Sequence, residues 1–139
     1  MASVSIIPFS PEHISRMDLT DEQRAVESQK DALGYGDAWT VTVDGHPVAC
    51  GGVMPIWDGR GYAWALMGRD SGPYMLHITR AVKRGLLIAP FRRVEMAVDA
   101  TFAAGCRWAQ LLGFVRETPE PLRAYLPNGR DAWLYARVT

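Results

Sequence analysis

A few side chains in this 139-residue chain combine a reactive type with a telling position. His77 stands near the start of a segment with helical spacing, just after the polar loop Gly68-Arg-Asp-Ser-Gly-Pro73, and an imidazole there titrates near neutrality. The plainer reading is a histidine on a helix surface. Asp99 precedes another helical segment, where a carboxylate serves more often as a cap than as a base. Arg80, Lys83 and Arg84, followed by Arg92 and Arg93, form a basic stretch suited to phosphates or an acidic partner, although helices commonly wear such charges as a solvated face. Trp57 lies among the turn residues from Pro55 to Gly61, where an exposed aromatic ring lines a pocket or anchors a partner. Cys50 and Cys106 are far apart, with no CxxC and no HxxxH among His13, His46 and His77, so no metal site is expected and the thiols read as buried.

The elements that must hold these residues follow from local pattern. Val4 to Phe9 has the apolar, β-branched character of a strand, and Ser10-Pro11-Glu12 opens a helical turn. Thr20-Asp-Glu-Gln23 has the spacing of a capping box, predicting helix to about Leu33, with Gly34 and Gly36 ending it. Trp39 to Val43 alternates with period two, and Asp44-Gly45 provides the positive-φ pair of a tight hairpin. The returning strand, Pro47 to Met54, carries Gly51 and Gly52, which mark a bulge or close backbone packing. Tyr62 to Met67 reads as a buried central strand, and Tyr74 to Leu87 as a long helix. Val94 to Val98 is a strand, a helix capped by Asp99 or Thr101 runs to about Leu111, and Phe114-Val-Arg116 is a strand. Residues 117–131 form a loop, and Ala132 to Val138 is the last strand.

Composition narrows the function classes. Hydrophobic residues make up 48% and charged residues 22% of the chain, as expected for one globular domain spanning 1–139. Fifteen basic and fifteen acidic side chains cancel, which argues against nucleic acid as a partner. No apolar run approaches the roughly 18 residues that cross a bilayer, and the N-terminus lacks a basic secretory start, so the expected location is cytoplasmic, without membrane.

The succession of elements resembles the GNAT superfamily of N-acetyltransferases. The likeness is carried by Ala104-Gly-Cys-Arg-Trp-Ala-Gln-Leu-Leu-Gly-Phe114, by Tyr125-x-x-Asn-Gly-Arg-Asp-Ala-Trp-Leu-Tyr-Ala136, and by the Asp44-Gly45 hairpin. Gly45-His-Pro-Val-Ala-Cys-Gly-Gly52 and the compact length look like the small GNAT-related proteins of short-tailed bacteriophages. The resemblance implies an α/β (α+β) fold with a mixed, mostly antiparallel sheet of about six or seven strands and about four helices. It also implies that two neighbouring middle strands part, so that acetyl-CoA lies along freed main chain with its pyrophosphate at the next helix N-terminus. On that basis Leu66, Met67, Gly68, Arg69, Ser71 and Gly72 are the expected coenzyme contacts. Glu95 is the expected base, and Tyr125 or Tyr135 the phenol that protonates the leaving sulfur. The sequence departs from the family pattern at Tyr74, where a small residue is usual, and at Ala109, where a tyrosine is usual. Two functions follow. One is transfer of an acetyl group to an amine on a protein or small molecule. The other is a phage-encoded scaffold without coenzyme chemistry that binds a host or virion protein.

Overall fold

The computed structural model describes residues 2–24 and 33–139. The expected continuation of helix from Arg24 towards Leu33 lies largely outside the described residues. Within them, strands β1 (Val4–Pro8), β2 (Asp37–Val43), β3 (His46–Trp57), β4 (Arg60–Met67), β5 (Arg93–Asp99), β6 (Val115–Arg116) and β7 (Ala132–Val138) form one sheet in the order β1-β2-β3-β4-β5-β7-β6. Only β4 and β5 run parallel; the other neighbours are antiparallel. Helices α1 (Glu12–Arg16), α2 (Asp21–Arg24), α3 (Met75–Ile88) and α4 (Ala103–Leu111) flank it. This is the mixed, mostly antiparallel architecture that the sequence predicts.

Period-two alternation divides the sheet's side chains between two cores. On one face Val94, Val98 and Tyr135 pack under Leu86 of α3, Ala109 of α4 and Leu112 just after it. Ile78, Val82 and Leu86 recur every fourth residue, so one stripe of α3 meets the sheet. On the other face Cys50 and Leu66 pack under Ile14 and Met17 around α1, with Phe9 edge-on to Trp64. Burial there pushes the Cys50 thiol up to about 12, leaving it an inert apolar group.

Local chemistry explains most boundaries. Asp44 and Gly45 take φ of 50° and 82°, the turn expected of that pair. Gly51 and Gly52 mark close packing rather than a bulge: a Cβ on Gly52 would lie 2.5 Å from the Asp37 carbonyl oxygen. The bulges fall instead between Val41 and Thr42 and between Pro55 and Trp57. The second admits Pro55 to a strand, so β3 extends through Trp57, and that ring is not in a loop. The expected caps of α4 are also displaced. Asp99 Oδ1 accepts from the Thr101 N–H (2.9 Å) and hydroxyl (2.7 Å), closing a turn ahead of the helix, and Phe102 takes the capping position.

A cavity of about 460 Å³ remains under α3, bordered by Ala49, Gly51, Ala65, Ile78, Gly85 and Trp108. A Cβ at Gly85 would meet nothing within 4 Å. Gly85→Ala is therefore expected to stabilise the protein by about 1 kcal/mol, the cost of glycine within a helix. A raised melting temperature checks this.

Candidate functional site

β4 and β5 pair at three positions only, Arg60 with Arg93, Gly61 with Val94 and Tyr62 with Glu95. Beyond them the strands part, while β4 stays paired to β3 as far as Met67 and β5 stays paired to β7 as far as Asp99. Each wall of the gap is thus a supported strand with one unpaired edge. The Gly68 N–H donates to the Val48 carbonyl on the β3 side (2.8 Å). Alternation then turns the N–H and C=O of Leu66 towards β3 and those of Ala65 and Met67 into the gap. Of the expected coenzyme contacts on β4, Leu66 and Met67, only Met67 turns its main chain to the opening, and Ala65 joins it. Ala65 is exposed although β4 is central to the sheet.

Polar side chains line the gap. Half-buried Tyr62 accepts the Ala97 N–H across its root; burial raises the phenol's pKa, Tyr125 and Glu95 add to the rise, and the Ala97 N–H opposes it. Gln23, from α2, reaches the mouth. Its Nε2 donates to the Met67 carbonyl (2.9 Å), and its Oε1 accepts the Met67 N–H (2.8 Å).

Glu95 is buried at the root of the gap beneath two guanidinium groups. Arg60 Nε donates at 3.1 Å, with a second, closer contact from Arg60 Nη2, and Arg93 Nε donates at 2.7 Å. Arg93 also binds Glu117 at 2.6 and 3.1 Å. Burial alone would raise the Glu95 pKa, but the two arginines outweigh it and hold the carboxyl below its ordinary range. Glu95 is therefore an ionised structural clamp, and its low pKa makes it a weak base. Tyr125, 48% exposed, lines the same open depression as Glu95, together with Trp57 and Arg60. The Arg60 guanidinium stacks 4.5 Å from the Trp57 ring, so that exposed aromatic is part of the depression's wall.

The loop at the other end of the gap connects β4 to α3. Its Arg69 binds Asp18 through Nη1 (2.9 Å), and the Arg69 N–H donates to the Asp18 carbonyl (2.8 Å). The Ser71 N–H donates to the Gly68 carbonyl (3.0 Å), and Ser71 is buried. Asp70 Oδ2 lies 3.3 Å from His46 Nε2, and its Oδ1 is buried without a hydrogen-bond partner among the described residues. Gly72 stands in the open, where a Cβ would meet nothing within 4 Å.

No protein-family model matches the sequence, and no curated protein matches it. Solved structures do. The chain superposes on Ard1 from Thermoplasma volcanium with a TM-score of 0.75 at 16% identity, covering 98% of this chain and 97% of that one. An acetyltransferase of the GNAT family from Streptococcus pneumoniae gives 0.66 at 14%, over 98% and 99%. The ribosomal-protein-S18-alanine N-acetyltransferase from Escherichia coli gives 0.67 at 17%, over 98% and 94%. The fold is that of the GNAT acetyltransferases. None of these three is a bacteriophage protein, so the likeness expected from Gly45 to Gly52 has no counterpart among them.

The GNAT fold sorts the expected residues into two groups. Met67, Gly68, Arg69, Ser71 and Gly72 gather at the mouth of the gap, whereas Glu95 and Tyr125 gather near its root. At about 3.3 Å per residue, the five steps from Tyr62 to Met67 put roughly 16 Å between the two groups. Leu66 contributes its side chain to the core under α1. Tyr135 is buried in the other core, and burial raises its pKa, so it is not an accessible phenol. His77, Arg80, Lys83 and Arg84 are exposed on α3, the solvated face. Sequence reasoning missed Gln23, Tyr62, Arg60 and Ala65. Alternation along β4 could have singled out Ala65; nothing local marks Gln23, whose partner lies 44 residues away.

Proposed function

We propose that this protein is a GNAT-type acyltransferase that binds acetyl-CoA in the gap between β4 and β5 and transfers the acetyl group to an amine. One observation carries the reading: past Tyr62 and Glu95 the strands separate, and the main chain of Ala65 and Met67 is turned into the opening. An unpaired strand edge is a template for an amide-bearing chain, and the coenzyme's pantetheine arm is such a chain. The coenzyme supplies an activated acetyl thioester. Ala65 and Met67 orient it through backbone hydrogen bonds, and Arg69 at the mouth exchanges Asp18 for a phosphate. Tyr125, at the root of the gap, would supply a phenolic proton to the departing sulfur as an amine nitrogen took the acetyl carbon and the carbon–sulfur bond broke, and the proton lost from nitrogen would pass to solvent. Glu95 works as a positioning residue that keeps the two strands joined at the root.

A second reading is protein binding without coenzyme chemistry. It draws on the Gly68, Arg69 and Ser71 N–H groups, which are already satisfied within the protein and so do not await a phosphate. Titration calorimetry with acetyl-CoA separates the two. Binding that weakens in Arg69→Ala is the expected result; no heat and no thermal shift at millimolar coenzyme would leave only the second.

A further inference from the structure

The carboxamide of Gln23 presents one donor and one acceptor in a plane, the same pair that a peptide group offers from a neighbouring strand. It occupies the Met67 N–H and C=O on the unpaired edge of β4. Its own segment holds it there. Gln23 Nε2 also approaches Thr20 Oγ1 at 3.3 Å, and Thr20 Oγ1 accepts the Gln23 N–H at the same distance. The segment grips the opposite wall as well: Glu22 binds Arg130 (2.8 Å), and Arg130 reaches Asp99 at the end of β5 (3.4 Å). Residues 18–23 therefore strap the mouth of the gap from both sides, with Arg69 fastened to Asp18 beside them.

We propose that Gln23 is an internal ligand of the coenzyme site, a binding-determining residue that holds the Met67 main chain and must swing away before an amide-bearing chain pairs there. This rests on the acetyl-CoA reading given above. A site whose open form is a fraction of the population binds its ligand more weakly by that fraction. Removing the carboxamide removes two hydrogen bonds that favour the closed form, which corresponds to about a tenfold gain in affinity. In acetyl-CoA titrations Gln23→Ala is expected to bind about tenfold more tightly than the parent protein. Gln23→Asn, one methylene too short to reach, is expected to follow it. Hydrogen exchange reports the contact directly: without coenzyme, the Met67 amide should exchange faster in Gln23→Ala than in the parent. A purely structural role for Gln23 would lower the melting temperature without tightening binding. Equal or weaker binding by both variants overturns the inference and leaves the coenzyme site standing. No binding by parent or variants at millimolar acetyl-CoA overturns the coenzyme reading and this inference with it.

Discussion

Ala65→Pro is expected to remain folded and to lose at least thirtyfold in affinity for acetyl-CoA. Proline removes one N–H and fixes φ, changes that a sheet interior tolerates only where that N–H has no partner. The Ala65 N–H points into the gap, so the sheet loses no hydrogen bond, while the ring fills the space the coenzyme needs. Confining φ in a strand costs about 1 kcal/mol. Leu66→Pro, one residue further, is the control. The Leu66 N–H belongs to the β3 ladder opposite Cys50, so the same substitution there should cost about 3 kcal/mol or more. Thermal melting and calorimetry on the pair measure both quantities. Equal destabilisation by the two would mean that β4 has no unpaired edge.

Truncating Glu95 is expected to lower stability about as much as Leu66→Pro does. The carboxylate is 5% exposed and neutralises two arginines at the only place where β4 and β5 pair. Glu95→Ala leaves both guanidinium groups without it, a loss of about 3 kcal/mol. The pH dependence follows from the sign of the shift. The folded protein holds this carboxyl below its ordinary value, so the unfolded chain binds the proton more readily, and stability falls as acid titrates the native group. The contribution is complete above about pH 5, where an unfolded glutamate is already ionised, and it disappears as the pH drops through the lowered native pKa. Glu117, whose carboxyl is held below its ordinary value mainly by its hydrogen bond to Arg93, contributes with the same sign. Urea unfolding between about pH 6 and pH 3 should therefore show a flatter profile for Glu95→Gln than for the parent.

What the sequence made legible depends on how far apart the interacting residues lie. The Asp44-Gly45 turn, the apolar stripe of α3 and the alternation of β2 are local signals, and the structure bears them out. The parting of β4 and β5 is not written in either strand: Ala63 to Met67 looks like any buried strand, and only the resemblance to an acetyltransferase fold pointed to a gap. Gln23 shows how a correct local reading can hide another role. Its backbone does meet Thr20, as a capping box requires, yet its carboxamide, while still touching Thr20 Oγ1, pairs with a strand 44 residues on. Glu95 was read by its type and place, but Arg60 and Arg93 decide its charge state, and Arg60 comes from a different strand. The prolines and glycines around Trp57 predict a loop; a bulge accommodates Pro55 and keeps the strand going.

A sheet that is continuous at one end and cleft at the other behaves as a tuning fork. In one tine, β2, β3 and β4 are joined by two successive hairpins that zip from short-range contacts, and β1 is added at the edge from across α1 and α2. The other, β5 with β7 and β6, needs β7 to return across some thirty intervening residues, and such closure is slower. The stem joining them is three residue pairs long, with the Glu95 cluster as its rivet. Slight rotation about that stem changes the spacing of the tips far more than the spacing at the base. Small motions at the rivet are thereby amplified where a guest molecule would be admitted.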